Sequence, residues 1–125
     1  MPDYVKQYEH WKRLLKELEA KVPDTVAGFE TLVRHARTDG ALTGVTKELI
    51  ALALAVQSTD RPAISQFMHS VVDMGATDEE IIEAIEVAVM LGGQMTLIHA
   101  CDALEALKQF RAKPGASRFF ASSEK

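Results

Sequence analysis

The sequence predicts an all-α protein of about six helices, and three observations carry that reading. Apolar residues recur at i, i+3, i+4 and i+7 along most of the chain. No run alternates as a strand would, and no Asn-Gly or Asp-Gly hairpin turn joins two such runs. Thr77 followed three residues later by Glu80 is a capping box directly ahead of an apolar helical segment, the sharpest boundary in the chain. At 125 residues, 47% apolar and 26% charged, the chain has the size and balance of a single domain with one core.

The first helix is expected from about Asp3 to Ala20, with Trp11, Leu14, Leu15 and Leu18 on its inner face, and Pro23 ends it. Asp24 is the expected N-cap of a second helix reaching Arg37, whose buried side would carry Val26, Phe29, Leu32, Val33 and Ala36. Asp39-Gly40 breaks the chain. A third helix begins at Thr43 or Thr46 and runs through the apolar stretch Leu49 to Val56. Being apolar on nearly every side, it is the expected centre of the core.

Ser58-Thr59-Asp60 reads as a turn with a cap, and Pro62 stands where a first helical turn accepts it. The fourth helix then presents Ile64, Phe67, Met68, Val71, Val72 and Gly75 inward. The fifth runs from Asp78 to about Leu91 and ends at Gly92-Gly93; the sixth runs from about Gln94 to Phe110 or Arg111. The single domain thus spans residues 1–112, and residues 113–125, opening on Pro114-Gly115, read as a loosely ordered tail. Two helices this apolar exceed what six short helices can wrap, so part of their surface is expected to be covered by another copy of the chain.

Charge and length exclude several classes of function. Fourteen basic against eighteen acidic residues give a net charge of -4, with no Lys/Arg cluster on any helical face, so nucleic acid has no electrostatic foothold. No apolar run approaches the roughly 20 residues that cross a bilayer, and the start of the chain lacks a signal-peptide pattern, so the expected location is cytoplasmic. A lone Cys101 fits a reducing compartment.

The segment from Lys47-Glu48-Leu49-Ile50 to Gly75-Ala76-Thr77-Asp78-Glu79-Glu80 resembles the carboxymuconolactone decarboxylase and alkylhydroperoxidase D (AhpD)-like family, with a core over about residues 27–110. The resemblance implies a helical bundle with a core helix pair, completed as a homo-oligomer, trimer or hexamer. Many members of that family carry Cys-x-x-Cys-x-x-x-His between the two landmarks. Registered backwards from Gly75, those positions fall on Asp60, Ala63 and Phe67, so all three redox positions are empty. A thiol peroxidase needs one thiolate to attack the peroxide and a second to resolve the sulfenic acid, and neither is present there.

Five residues remain as candidates for chemistry. Glu48 matches the family's relay glutamate and precedes an apolar run that would desolvate it, raising its pKa; alternatively it serves the helix dipole from solvent. His69 lies five residues beyond Ile64, about 140° around the helix, which places it on the surface within reach of Asp73. His99 shares a face with Ala103, Ala106 and Phe110, apart from the Leu97/Cys101/Leu104/Leu107 side, and is expected to enter a subunit contact or a cavity. Some small family members also have a histidine after the paired glycines. Arg61 suits an anionic substrate and Phe67 would line its pocket. Cys101 reads as a small buried hydrophobe, and no spacing of His, Cys, Asp and Glu makes a metal site.

Three functions stay open on the sequence. The first is a cofactor-free, non-redox lyase or isomerase acting by proton transfer on a small organic acid or lactone through Glu48 with His99 or His69. The second is a ligand-binding or scaffolding oligomer without catalysis. The third, an alkylhydroperoxidase-like antioxidant protein, is disfavoured by the missing cysteines.

Overall fold

Among the described residues, five of the six helices begin at a side-chain cap or a proline, and the last follows Gly93 without either. A computed structural model describes residues 2–113, and these form α1 (Tyr4–Lys21), α2 (Pro23–Arg37), α3 (Gly44–Gln57), α4 (Arg61–Asp73), α5 (Asp78–Gly92) and α6 (Gln94–Ala112). Asp3, Thr43, Asp60 and Thr77 cap α1, α3, α4 and α5 by accepting from the N–H three residues on. The Thr77–Glu80 capping box is complete in both directions, at 3.1 and 2.8 Å. Helix α2 opens differently. Pro23 stands at its first turn and Val22 offers no side-chain cap, so Asp24 lies within the helix and is not its cap.

Two helices end in Schellman motifs that aim the following segment. At the end of α4 the Ala76 N–H reaches the Val71 carbonyl at 3.0 Å, the Gly75 N–H reaches Val72 at 3.1 Å, and Gly75 takes φ +90°. The end of α3 has the same pattern, with Asp60 N–H to Ala55 at 3.1 Å and Thr59 N–H to Val56 at 3.2 Å. Here the left-handed residue is Thr59, at φ +58°, a β-branched side chain in a conformation that costs it about 1–2 kcal/mol.

Helix α3 packs most extensively against α4 and α5, α6 closes against α4 and α5, and α1 lies over α4, α6 and α2. The core joins Leu52 and Val56 of α3, Ile64, Met68 and Val71 of α4, and Ile81 and Ile85 of α5 to Ala103, Ala106 and Phe110 of α6. Arg111, in the last turn of α6, donates to the Ala76 carbonyl at 2.9 Å and pairs with Asp78, tying the end of α6 to the start of α5.

Several faces differ from the sequence expectation. Helix α1 buries Tyr4 and Tyr8, whereas Trp11, Leu14 and Leu18 are exposed, because only its first half lies over α4 and α6. Helix α2 buries Val26 and half-buries Val33, leaving Phe29, Leu32 and Ala36 exposed. Helix α6 has the two faces of the expectation exchanged. Ala103, Ala106 and Phe110 enter this chain's own core, while Leu97, Cys101 and Leu104 face outward, with Leu107 buried. The exposed Cys101 is therefore not a core hydrophobe. Ile50 and Leu54 on α3 and Val87, Met90 and Leu91 on α5 are also uncovered in the single chain. The tail expected from 113 onward falls, beyond Lys113, outside the described residues.

Thr59→Gly removes the left-handed cost at the α3–α4 turn. It is expected to raise stability by about 1 kcal/mol in urea unfolding, net of the entropy glycine adds to the unfolded chain.

Candidate functional site

Two polar clusters interrupt the apolar core, on different faces of α4. The first is centred on Glu48, one turn into α3. Gly44 eases the approach: a Cβ there would stand 3.0 Å from the Arg37 carbonyl, tight enough that the end of α2 would have to give by a few tenths of an ångström. Arg37, the last residue of α2, then donates from Nε to Glu48 Oε2 at 3.0 Å, and Ser70 Oγ of α4 donates to Oε1 at 2.6 Å. Both side chains of the ion pair are about nine-tenths buried. Glu48 is thus desolvated as its sequence context indicates, with both oxygens engaged, and it does not face solvent at the helix start.

The second cluster fills the seam where α1 and α6 meet α4. Asp102 of α6 lies with Oδ2 3.4 Å from His99 Nδ1 and 3.5 Å from an Arg61 terminal nitrogen. These are ion-pair separations that leave the His99 Nδ1 without a formed hydrogen bond. His99 and Asp102 are each about one-fifth exposed, and Arg61, in the first turn of α4, is nearly half exposed. The His99 side chain therefore belongs to a seam within the chain.

Tyr4 closes the inner side of this seam. Its ring is fully buried, and its hydroxyl is directed at Asp102 without the geometry of a formed hydrogen bond. Burial first, then the neighbouring Asp102 carboxylate and the Glu105 charge, push the phenol up to about 12, against a smaller opposite pull from Arg61. Gln109 fixes this end of α1: it accepts from the Tyr4 N–H at 2.6 Å and donates to the Pro2 carbonyl and Glu105, both at 2.9 Å. Ser65, one turn beyond Arg61 on α4, is also buried, its hydroxyl without a hydrogen-bond partner.

His69 corrects the expectation of a surface residue. It is buried, stacked on Tyr8 with ring centroids 4.3 Å apart and set edge-on to Phe110 at 5.4 Å. The expectation assumed one buried face on α4, whereas α1 covers a second. The structure brings Arg61 and His99 together through Asp102 and leaves Glu48 in its own cluster. Asp102, Tyr4, Ser65, Arg37 and Ser70 escaped the sequence reading; the i, i+3 spacing of His99 and Asp102 and the i, i+4 spacing of Tyr4 and Tyr8 were their available signals.

Comparison with known proteins decides the family. A model of the carboxymuconolactone decarboxylase family matches residues 23–106. The chain belongs to the carboxymuconolactone decarboxylase family. An uncharacterized protein of Cupriavidus necator is 30% identical over 82 residues, 66% of this chain and 73% of that one. The crystal structure of apo-lpg0406, a carboxymuconolactone decarboxylase family protein from Legionella pneumophila, superposes with a TM-score of 0.83 at 36% identity, covering 86% of this chain and 96% of the other.

Within that frame, the three positions registered to the redox motif have other work. Asp60 caps α4 by accepting from the N–H of Ala63 at 3.2 Å, so the first two positions bond to one another, and Phe67 is half-buried against the core. Among the described residues, no group of three or more His, Cys, Asp and Glu is placed to hold a metal ion, and no helix is long and apolar enough to cross a membrane.

The Glu48 cluster sets a stability test. Arg37→Met strands a buried carboxylate and is expected to cost about 3 kcal/mol or more in urea unfolding, whereas the double variant Arg37→Met, Glu48→Leu recovers most of that loss. Tyr4 sets a pH test. The folded phenol keeps its proton while the unfolded one loses it near 10, so its contribution to stability is complete below pH 10 and is lost as pH rises through about 12. The phenolate absorbance lost in Tyr4→Phe should appear in the wild type only near pH 12, and the variant's stability should decline less over that interval.

Proposed function

We propose that the protein is a non-redox enzyme of its family, carrying out proton-transfer chemistry of the lyase or isomerase type on a small organic acid or lactone. The observation that carries this reading is the His99–Asp102–Arg61 cluster. Asp102 beside Nδ1 favours the tautomer with its proton on that nitrogen, which leaves Nε2 to take or give a proton. A separation of 3.4 Å is common for catalytic pairs before substrate binds. The guanidinium of Arg61, half in solvent, supplies the cation that a substrate carboxylate needs.

Glu48 has a supporting part in this reading, since its oxygens hold α2, α3 and α4 together. His69 shapes the seam from behind through Tyr8, and Phe67 is the apolar candidate for the substrate side. The exposed apolar surface around the α5–α6 turn, with Met90, Leu91 and Met95 more than 60% exposed, supports self-association, and the proposal takes this to be a homo-oligomer, trimer or hexamer, acting in the cytoplasm. A ligand-binding scaffold is the second reading. It is favoured by the Asp60–Ala63 cap and Phe67, which fill the motif positions with structural groups.

The test is a thermal-shift and turnover screen against lactone acids, unsaturated dicarboxylates and hydroperoxides, on the wild type and the His99→Gln, Arg61→Met and Cys101→Ser variants. The enzyme reading expects an acid or lactone to stabilise the wild type, His99→Gln to lose about 10²-fold or more in turnover, Arg61→Met to weaken binding, and Cys101→Ser to change neither. Turnover retained in His99→Gln overturns it. Hydroperoxide reduction that depends on Cys101 would restore the antioxidant reading, and stabilisation without turnover would put the scaffold first.

A further inference from the structure

Two hydroxyls in the core are held at a cost the fold does not require. Tyr4 is fully buried and Ser65 is 1% exposed; the Ser65 hydroxyl has no hydrogen-bond partner, and the Tyr4 hydroxyl has only Asp102 beside it, short of a formed hydrogen bond. A buried hydroxyl left unpaired costs about 1–3 kcal/mol, whereas Phe in place of Tyr4 and Ala in place of Ser65 would fill nearly the same space without that penalty. Both stand at the same seam. The Tyr4 hydroxyl is directed at Asp102 in the field of Arg61, and Ser65 lies one turn beyond Arg61 on α4.

Tyr4 and Ser65 each hold a hydroxyl proton in no formed hydrogen bond, the Arg61 guanidinium only donates, and Asp102 is the carboxylate placed to accept among them. Donors in excess around one acceptor suit a ligand that brings acceptor oxygens of its own. Helix α1, which delivers Tyr4, precedes the segment matched by the family model, so this contribution is not part of what defines the family.

We propose that Tyr4 and Ser65 are binding residues of the His99–Asp102–Arg61 site, donating hydrogen bonds from α1 and α4 to a carboxylate or enolate oxygen of the bound molecule. This rests on the enzyme reading given above and adds to it the residues that recognise the substrate oxygen. On binding, the two hydroxyls exchange an unpaired state for charge-assisted hydrogen bonds, so their cost to the free protein becomes affinity in the complex.

The experiment uses Tyr4→Phe and Ser65→Ala in the full chain, with Cys101→Ser as control and maleate, a small unsaturated dicarboxylate, as probe. Melting temperature is read without ligand, and binding is read by thermal shift and by the His99 imidazole signals in NMR. Both hydroxyl variants are expected to melt at or above the wild-type temperature and to bind maleate about tenfold more weakly, with wild-type affinity retained in the control. Maleate binding unchanged in both variants overturns the proposal, as does a wild type that does not bind it. A clear fall in melting temperature in both variants also overturns it, because the hydroxyls would then be structural. The enzyme reading fails on a different result, turnover surviving His99→Gln, so the two failures are told apart.

Discussion

The buried pairing of Glu48 with Arg37 and Ser70 is the constraint around which the bundle is arranged. A lone carboxylate among Leu52, Ala55 and Val71 would be intolerable in a core of this size. Three helices meet to satisfy it: α2 ends at Arg37, α4 turns Ser70 toward it, and α3 carries the acid itself. Gly44 is part of the same arrangement, because a side chain there would crowd the Arg37 carbonyl at the end of α2. The pair adds little net stability over an apolar substitute, but it fixes how α2, α3 and α4 are set against one another.

With α4 held on that side, its opposite face is free to receive α1 and the polar part of α6. The two clusters differ in a way that bears on their roles. Around Glu48 both carboxylate oxygens and both donors are engaged at 3.0 Å or less, which is how a structural network looks. Along the second seam the contacts are 3.4–3.5 Å and several polar atoms have no formed hydrogen bond. An incompletely satisfied network is a poor element of stability, and it is what a site awaiting a polar ligand presents.

The helices were largely legible because their signals are local. The Thr77–Glu80 box, Thr43, Asp60, Pro62 and the paired glycines act within four residues of themselves, and each boundary they imply is found. Which face a helix buries is decided by partners far along the chain, and there the reading failed. The Leu14/Leu18 stripe of α1 and the Phe29/Leu32 stripe of α2 look as apolar as any core face, yet Tyr4 and Tyr8 are the residues that α4 and α6 cover. His69 was misplaced for the same reason, since periodicity on α4 reveals one buried face and α1 creates another. Glu48, His99 and Arg61 stood out as residue types in an apolar setting. Their partners Arg37, Ser70 and Asp102 did not, because a partner is defined by distance across the fold.

The local costs of the structure are unevenly spread, and their distribution bears on whether the fold still serves a ligand. Thr59 holds a left-handed backbone that glycine would adopt freely, and it immediately precedes Asp60 and α4. Ser65 and Tyr4 hold buried hydroxyls that alanine and phenylalanine would spare, and Arg61 shares Asp102 with His99 at distances short of full hydrogen bonds. All of these lie at the beginning of α4 or directly across from it, while the other buried charged group, Glu48, has both carboxylate oxygens engaged. A bundle selected for stability alone has an inexpensive substitution available at each of these places. Strain and unsatisfied polarity gathered at one end of one helix are what a functional site costs its scaffold, which is the reason the proposal places the site at the α1–α4–α6 seam.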